Sequence, residues 1–182
     1  YWNSSVRLSA DKQQATLNAT VYMAEDQFVE TLGLKLVAGR DFNPDEYLEF
    51  EALQRLTGEV TIPGAIITRT MAERLFPGED AIGKTFYSWG DGGIRVIGVV
   101  EHLVRPNMLG GPTAREYSMV FPVRTHYGVG GNYVLRTSPE RRDEVLKTAV
   151  ETLRGNGPPR IVLEDNTMTV EAMRAEFFQQ QR

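Results

Sequence analysis

Apolar positions in the middle of the chain change from a short continuous run to helical spacing. Ala65 to Ile67 is an apolar run of strand length, which predicts a buried strand. Apolar residues then recur at the spacing of one helix face, at Met71, Ala72, Leu75 and Phe76. A capping box of Thr70 and Glu73 is typical of a helix start, and Thr68 would instead cap a longer helix. Pro77, followed by glycine, predicts the end of this helix.

Alternation of apolar and polar residues predicts strands on both sides of this helix. The strands expected there are Val6 to Ser9, Ala15 to Met23, Leu34 to Ala38, Phe86 to Trp89 and Ile94 to Val100. The last two are separated by Gly-Asp-Gly-Gly, which is typical of a hairpin turn. A short helix over Asp26 to Leu32 is expected to end at Gly33, because glycine adopts a left-handed backbone without steric cost.

The C-terminal third alternates between predicted strands and helices. A serine–proline pair is a typical helix start, and the helix after it carries an apolar stripe of Val145, Leu146, Ala149, Val150 and Leu153. Tyr133 to Thr137 and Ile161 to Leu163 flank this helix as predicted strands. Tyr133 to Glu164 is therefore expected to be one strand–helix–strand unit with parallel strands. Ser118 to Val123 is a further predicted strand, and Thr169 to about Gln180 is the last helix.

The segment Pro44 to Pro63 combines carboxylates with apolar residues at helical spacing. We interpret it as an amphipathic helix with a solvated acidic face. A metal or acid–base site is the alternative interpretation, but catalytic carboxylates need environments that separate two pKa values. Tyr47 and Phe50 lie among the carboxylates. Large apolar side chains are usually internal, whereas exposed aromatic rings often anchor a partner, so both interpretations of these rings remain.

Length and composition are those of an ordinary globular domain. The chain has 182 residues, of which 41% are hydrophobic and 24% are charged. A net charge of −4 disfavours a nucleic-acid surface, which needs a basic patch. The absence of cysteine excludes disulfides and thiol chemistry. No apolar run is long enough to span a bilayer, and we interpret the chain as a fragment of a longer protein.

Gly78 to Thr85 matches the phosphate-binding pattern G-x-x-x-x-G-K-[ST]. That loop binds phosphate because it leads from a strand into a helix whose amides face the ligand. Here a helix is predicted before the loop and a strand after it, and Glu79 and Asp80 bring negative charge where a phosphate would approach. We therefore expect this loop to bind no nucleotide, although a nucleotide-binding module remains an alternative function.

The candidate chemistry elsewhere is sparse. His102 and His126 are the only histidines, and without paired ligand spacing they predict no zinc site. No G-x-S-x-G serine motif is present. We expect no catalytic, metal-binding or cofactor-binding residue. The residues proposed to contact a partner are Tyr47, Phe50, His102 and Arg105. A stand-alone enzyme, with the acidic segment and His102 lining a cleft, is a second alternative.

Five short blocks occur in one order along the chain: Leu32-Gly33-Leu34, Gly39-Arg40-Asp41-Phe42, Ala72 with Leu75-Phe76, Ile82-Gly83-Lys84 and Ile97-Gly98-Val99-Val100. This order resembles the extracytoplasmic core domain of MacB-type or FtsX-like ABC transporter permeases. Thr68 and Ala81 stand where that family usually has asparagine and proline. The segment Pro44 to Pro63 separates blocks that are usually closer together.

The resemblance implies an α+β fold with a mixed α/β base and an inserted β-rich lobe. Residues 1–33 with 113–182 are expected to form the lobe near the membrane, and 34–112 the distal lobe. The loop Leu103 to Pro112 and the segment Pro44 to Pro63 would both belong to the distal lobe.

The resemblance also implies a function without bond chemistry. The domain would lie on the periplasmic or extracytoplasmic face of the bacterial inner membrane and couple ATP hydrolysis in the cytoplasm to export, or to work on a substrate or partner outside. The implied partners are membrane helices of the same chain, an ABC ATPase, a second permease copy and, in some family members, a membrane-fusion protein. The transported substrate is not implied.

Overall fold

A computed structural model describes residues 2–10, 14–54, 61–88, 92–105, 115–125, 132–156 and 167–179, with side chains at all of these except 54 and 176–178. The strands are β1 (Trp2–Val6), β2 (Leu17–Ala24), β3 (Leu36–Gly39), β4 (Leu48–Glu49), β5 (Ala65–Thr68), β6 (Thr85–Tyr87), β7 (Gly93–Val100) and β8 (Ser118–Arg124). The helices are α1 (Phe28–Leu32), α2 (Phe50–Gln54), α3 (Arg69–Leu75), α4 (Arg142–Gly155) and α5 (Val170–Gln179), with 3-10 helices at Pro44–Glu46 and Pro139–Arg141.

The chain divides into two compact units, Tyr1–Val134 and Leu135–Arg182. The first contains a mixed sheet in the order β1-β2-β8-β5-β7-β3, with β4 beside β8 and β6 beside β7. A backbone bridge joins Arg7, after β1, to Tyr87 at the end of β6. Because this bridge brings the first strand against the sixth, the sheet curls on itself. The predicted α+β class is confirmed.

Apolar side chains pack on both faces of the sheet. On one face, α2 and α3 cover a cluster that includes the fully buried Ile67, Phe86 and Phe121. On the other face, Val29 of α1 and Leu103 pack over a second cluster. All four residues of β5 are buried, as expected for a strand covered on both faces. The strand predicted from the apolar run Ala65 to Ile67 therefore lies inside the sheet, between β8 and β7.

The predicted helix after β5 is present and starts where the longer alternative placed it, so the capping box of Thr70 and Glu73 is wrong. It begins at Arg69, and Thr68 holds the N-cap position without a side-chain hydrogen bond to the helix. The Thr68 hydroxyl donates instead to the carbonyl oxygen of Glu116, and the Thr70 hydroxyl donates to the Glu116 carboxylate. Gly33 is the left-handed C-cap of α1, with a φ of 63°, and α3 ends at Leu75, just before Pro77 and Gly78, so both predicted helix ends are confirmed.

The predicted strands agree with the sheet in the middle of the chain and fail at two other places. The predicted hairpin is confirmed by the antiparallel pairing of β6 with β7. The first strand is Trp2–Val6 rather than the predicted Val6 to Ser9. Its side chains are mostly polar, but its backbone pairs with β2 along all five residues. The prediction for Tyr133 to Thr137 is wrong: these residues pair with no strand among the described residues, and the side chains at 133–135 are exposed. Ile161 to Leu163, and hence the full strand–helix–strand unit, lies outside the described residues.

The segment from 44 to 63 differs from the single helix predicted for it. A 3-10 helix, the short strand β4 and the five-residue α2 follow one another, and residues 55–60 lie outside the described ranges. Tyr47 therefore precedes the helix instead of lying on its face. Phe50, Leu53 and Ile62 are all buried in the first core cluster, so this segment contributes to the core.

The division into two lobes stays a prediction. Strands assigned to the lobe near the membrane (β1, β2 and β8) and strands assigned to the distal lobe (β3, β5 and β7) lie in one sheet. The compact units instead divide between residues 134 and 135. In the second unit, Arg142 of α4 pairs with Glu171 of α5 at 3.1 Å. The apolar stripe predicted for α4 is only partly buried.

Candidate functional site

Two glycine motifs meet where β3 pairs with β7. Gly39 lies opposite Gly98 in the ladder. A Cβ atom at Gly39 would lie 2.1 Å from the carbonyl oxygen of Ile97, and one at Gly98 would lie 2.4 Å from the carbonyl oxygen of Arg40. Gly39 also has a φ of 70°, which favours glycine. The two motifs therefore fix a close backbone approach.

Arg40 follows this contact and fastens the start of the acidic segment. Its Nη1 and Nη2 atoms each lie 2.7 Å from an oxygen of the Glu46 carboxylate, and Nη1 also donates to the carbonyl oxygen of Asp41. The Glu46 carboxylate accepts a further hydrogen bond from the backbone N–H of Asn43. The hydrogen bonds from Arg40 lower the pKa of Glu46, although burial opposes them. The same pair raises the pKa of Arg40.

We expect Glu46 to make stability depend on acidity. The pKa of its carboxyl is lower in the folded state than its ordinary value of 4.5, so the pair stabilises fully above that pH and is lost as the pH falls through the folded value. Urea unfolding should show the largest difference between wild type and Glu46→Gln near neutral pH, and a shrinking difference below pH 4.5. Asp45→Asn, which keeps the pair, is the matched control. A difference that stays constant with pH would contradict the assignment.

Tyr47 and Phe50 have different surroundings. The Tyr47 ring is half-buried, with the Arg124 guanidinium 4.8 Å from its centroid and the Phe42 ring at 5.8 Å. Burial, with the nearby Asp41 carboxylate, raises the pKa of Tyr47 to about 12. Phe50 is 5% exposed and stacks on Trp2 with 5.7 Å between ring centroids. Of the two, only Tyr47 offers ring surface to a partner.

Arg105 is 6% exposed and covers the polar face of the first two strands. Its Nε donates to the Thr20 hydroxyl at 2.9 Å, and Nη2 donates to the side-chain oxygens of Asn3 at 2.7 Å and Asn18 at 3.3 Å. Thr20, predicted on the polar side of a half-buried strand, is fully buried as a result. A single arginine after a strand gives no sequence signal for this role.

His102 lies on the surface next to a carboxylate that joins three parts of the chain. Its Nδ1 is 3.3 Å from Oε1 of Glu116. The other carboxylate oxygen accepts the hydrogen bond from Thr70 of α3, at 2.9 Å. The sequence pattern did not indicate Glu116, because its partners lie far from it along the chain.

Three of the four predicted contact residues lie in two groups at opposite ends of β8. Tyr47 packs on Arg124, the last residue of that strand. His102 pairs with Glu116, which precedes it, and the Arg105 N–H donates to the carbonyl oxygen of residue 115. A seven-residue strand is roughly 20 Å long, so the groups do not share one site. Contact with a partner stays a prediction for each of them.

A family model described as the MacB-like periplasmic core domain matches residues 2–153. The chain belongs to this family. The predicted resemblance is thereby confirmed, and the chain is an extracytoplasmic domain of an ABC-type transporter permease at the inner membrane.

Two solved structures resemble this MacB-like domain. The extracellular domain of the noncanonic ABC-type transporter YknZ from Gram-positive bacteria has 20% sequence identity and a TM-score of 0.52, with 85% of this chain and 71% of that chain covered. The periplasmic region of MacB from Actinobacillus actinomycetemcomitans has 18% identity and a TM-score of 0.45, with 84% and 64% covered. The likeness to the first shows a shared fold. A search of curated proteins found no match.

The loop from Gly78 to Thr85 of this MacB-like domain lacks the arrangement of a phosphate-binding loop. It follows α3 and leads into β6, the reverse of the required order. Four of its backbone amides already donate hydrogen bonds within the protein, those of Glu79, Ile82, Gly83 and Lys84. The Lys84 ammonium pairs with Glu79 and lies 5.7 Å from the centroid of the Phe76 ring.

We expect no ATP binding at this loop, since its amides and its lysine are engaged. Calorimetric titration of the domain with ATP and magnesium should give no binding heat, and Lys84→Ala should behave like wild type. An ATPase with a functional phosphate-binding loop serves as the positive control. Micromolar binding that Lys84→Ala abolishes would overturn this expectation.

The described part of this MacB-like domain has neither a metal-binding cluster nor a membrane-spanning helix. Within that part of the chain, no group of three or more His, Asp or Glu side chains is arranged to hold a metal ion. In the same part, none of the helices has both the length and the apolar character needed to cross a membrane.

Proposed function

We propose that this domain performs no bond chemistry and couples ATP hydrolysis in the cytoplasm to export, or to work on a substrate or partner outside the inner membrane. The observation that carries the proposal is the family match over residues 2–153. The resemblance blocks support it, because two of them contain Gly39 and Gly98, which make the close approach between β3 and β7.

The surroundings of the polar side chains favour a mechanical role over a catalytic one. Arg105 and Glu116 each join segments that are distant along the chain. Arg40 fixes the start of the acidic segment. His102 contacts a carboxylate on the surface. Groups used in this way hold segments together, whereas catalysis requires them to converge on one reacting atom. We therefore assign no cofactor and no metal to the domain.

The partners belong to the same proposal. The domain would be joined to membrane helices of its own chain, and the permease would act with an ABC ATPase and as a dimer. Docking of a membrane-fusion protein would suit a permease that exports its substrate across a second membrane. Export of a small molecule or peptide and work on a lipoprotein are both compatible with the family.

The test is a domain replacement in the full-length permease, reconstituted with its ATPase in proteoliposomes. A flexible glycine–serine linker replaces the domain, and the Lys84→Ala permease serves as the matched control. ATP hydrolysis should continue after replacement while substrate-dependent transport is lost, and the control should retain both. Transport at the wild-type rate without the domain would refute the proposal. So would a parent chain without membrane segments on either side of the domain.

A further inference from the structure

Helix α4 carries a shallow groove of about 490 Å³ in the second unit. Leu146 and Val150 form its apolar centre, and both are half-buried. Charged side chains surround this centre, and Thr167 completes the lining. The charged residues are Asp143, Lys147, Glu151 and Arg154. An apolar centre within a polar rim is typical of protein–protein contacts.

The charges of the groove are self-complementary. They alternate in sign along the helix: acidic at 143, basic at 147, acidic at 151 and basic at 154. If a second α4 lay antiparallel across the groove, Asp143 would face Arg154 of the second copy, and Lys147 would face its Glu151.

The apolar centre obeys the same symmetry, because Leu146 would face Val150 of the second copy. All three pairs are centred close to Thr148 and Ala149, where a two-fold axis would pass. An in-register parallel arrangement would instead bring each charge against its own copy. The charge pattern therefore favours the antiparallel over the in-register parallel orientation, and it complements a second copy of this chain as the occupant.

We propose that α4 packs antiparallel against α4 of a second copy of this chain and so forms a contact between two protomers. Lys147 and Glu151 of one helix are only loosely paired, at 4.0 Å, and both are exposed, so each is available to the opposite helix. Arg142, which joins α4 to α5, does not line the groove, and the contact leaves that pair intact.

The contact is small. A helix of 14 residues is about 21 Å long, so this face cannot approach the roughly 800 Å² per partner of a stable independent interface. It forms when both copies are held in one membrane, where tethering raises their effective concentration. In this respect the inference rests on the proposed permease dimer.

Cysteine cross-linking in the full-length permease tests the contact, because this domain contains no cysteine. Lys147→Cys and Thr148→Cys are introduced separately after any cysteines elsewhere in the permease have been replaced. Residue 147 lies within two residues of the axis on the groove, so its two copies would be offset by only about 5 Å along helices 8–10 Å apart. Thr148 lies still closer to the axis along the helix but does not line the groove. A short bismaleimide should join the Lys147→Cys copies and leave the Thr148→Cys copies separate.

A mixed-charge experiment separates contact between helices from effects within one helix. Two differently tagged permeases, both with Val150→Cys, are co-expressed; one carries Lys147→Glu and the other Glu151→Lys. At positions 147 and 151, opposite charges then meet only in mixed pairs, while Asp143 and Arg154 are the same in every pair. We expect mixed cross-links to exceed either like pair about fivefold, compared with about twofold for random pairing, because each mixed pair gains two exposed ion pairs. Random pairing, or equal cross-linking at residues 147 and 148, would overturn the interface.

These readouts need neither ATP hydrolysis nor transport. A permease that transports normally without the predicted cross-links refutes the interface and leaves the proposed function standing. Cross-links that form in a protein without an ATPase partner would refute the proposed function and retain the interface.

Discussion

Gly39→Ala is expected to destabilise the domain by roughly 2–5 kcal/mol, combining left-handed backbone strain with overpacking. The new methyl group would lie 2.1 Å from the carbonyl oxygen of Ile97 and 2.7 Å from the side chain of Ile82. That carbonyl accepts the hydrogen bond from the Arg40 N–H at 3.0 Å, so relief of the clash would weaken the pairing of β3 with β7. Urea unfolding followed by circular dichroism measures the loss.

Gly78→Ala is the matched control. Gly78 also has a positive φ, of 76°, but a Cβ atom there would meet nothing within 4 Å. Only backbone strain remains, so the expected loss is about 1–2 kcal/mol. Equal losses for the two variants would show that the approach of β3 to β7 relaxes without cost, and that conformational strain alone explains the glycine at 39.

Local signals explain which parts of the fold could be predicted from sequence. The end of α1 depends on the conformational freedom of Gly33, and α3 ends just before Pro77, which cannot continue a helix. The hairpin of β6 and β7 depends on two strands close together along the chain. β5 depends on an apolar run covered on both faces. In each case the determining residues are neighbours in sequence, so the pattern contains the information.

The polar connections could not be predicted because their partners are far apart along the chain. The Thr68 hydroxyl donates to a carbonyl oxygen 48 residues away. Thr68 therefore holds the N-cap position of α3 without its side chain capping the helix. Arg105 bonds to Thr20 over 85 residues. Sequence periodicity describes which side of an element is polar, but it does not say which distant side chain covers that face.

In the acidic segment, the helical spacing of the apolar residues is partly correct, although the single helix predicted from it is wrong. Phe50 and Leu53 are separated by three residues, and both are buried, as one of the two interpretations of the helical spacing expected. Tyr47 shares the same spacing but lies before the helix, where the chain is extended. The Glu46 carboxylate closes the preceding turn by accepting hydrogen bonds from Arg40 and from the Asn43 N–H. The turn is therefore separate from the helix that starts at Phe50.

Phe50→Ala is expected to cost about 3–5 kcal/mol, as truncation of a large core side chain does. The ring is 5% exposed, lies in the main core cluster and stacks on Trp2, so its removal leaves a cavity. Thermal unfolding of the domain should show a large decrease in midpoint. A loss below about 1 kcal/mol would mean that the ring is peripheral, and would restore Phe50 as a candidate partner contact.

Tyr47→Ala provides the comparison, because it removes the ring that packs on Arg124 at the surface of the same segment. A half-buried ring contributes less to folding, so its loss should be well below that of Phe50→Ala. The full-length permease with Tyr47→Ala then separates two roles for the segment. If transport fails while the domain remains folded, Tyr47 anchors a partner. If transport is unchanged and only Phe50→Ala impairs it, through unfolding, the acidic segment serves the core, and the predicted contact at Tyr47 is wrong.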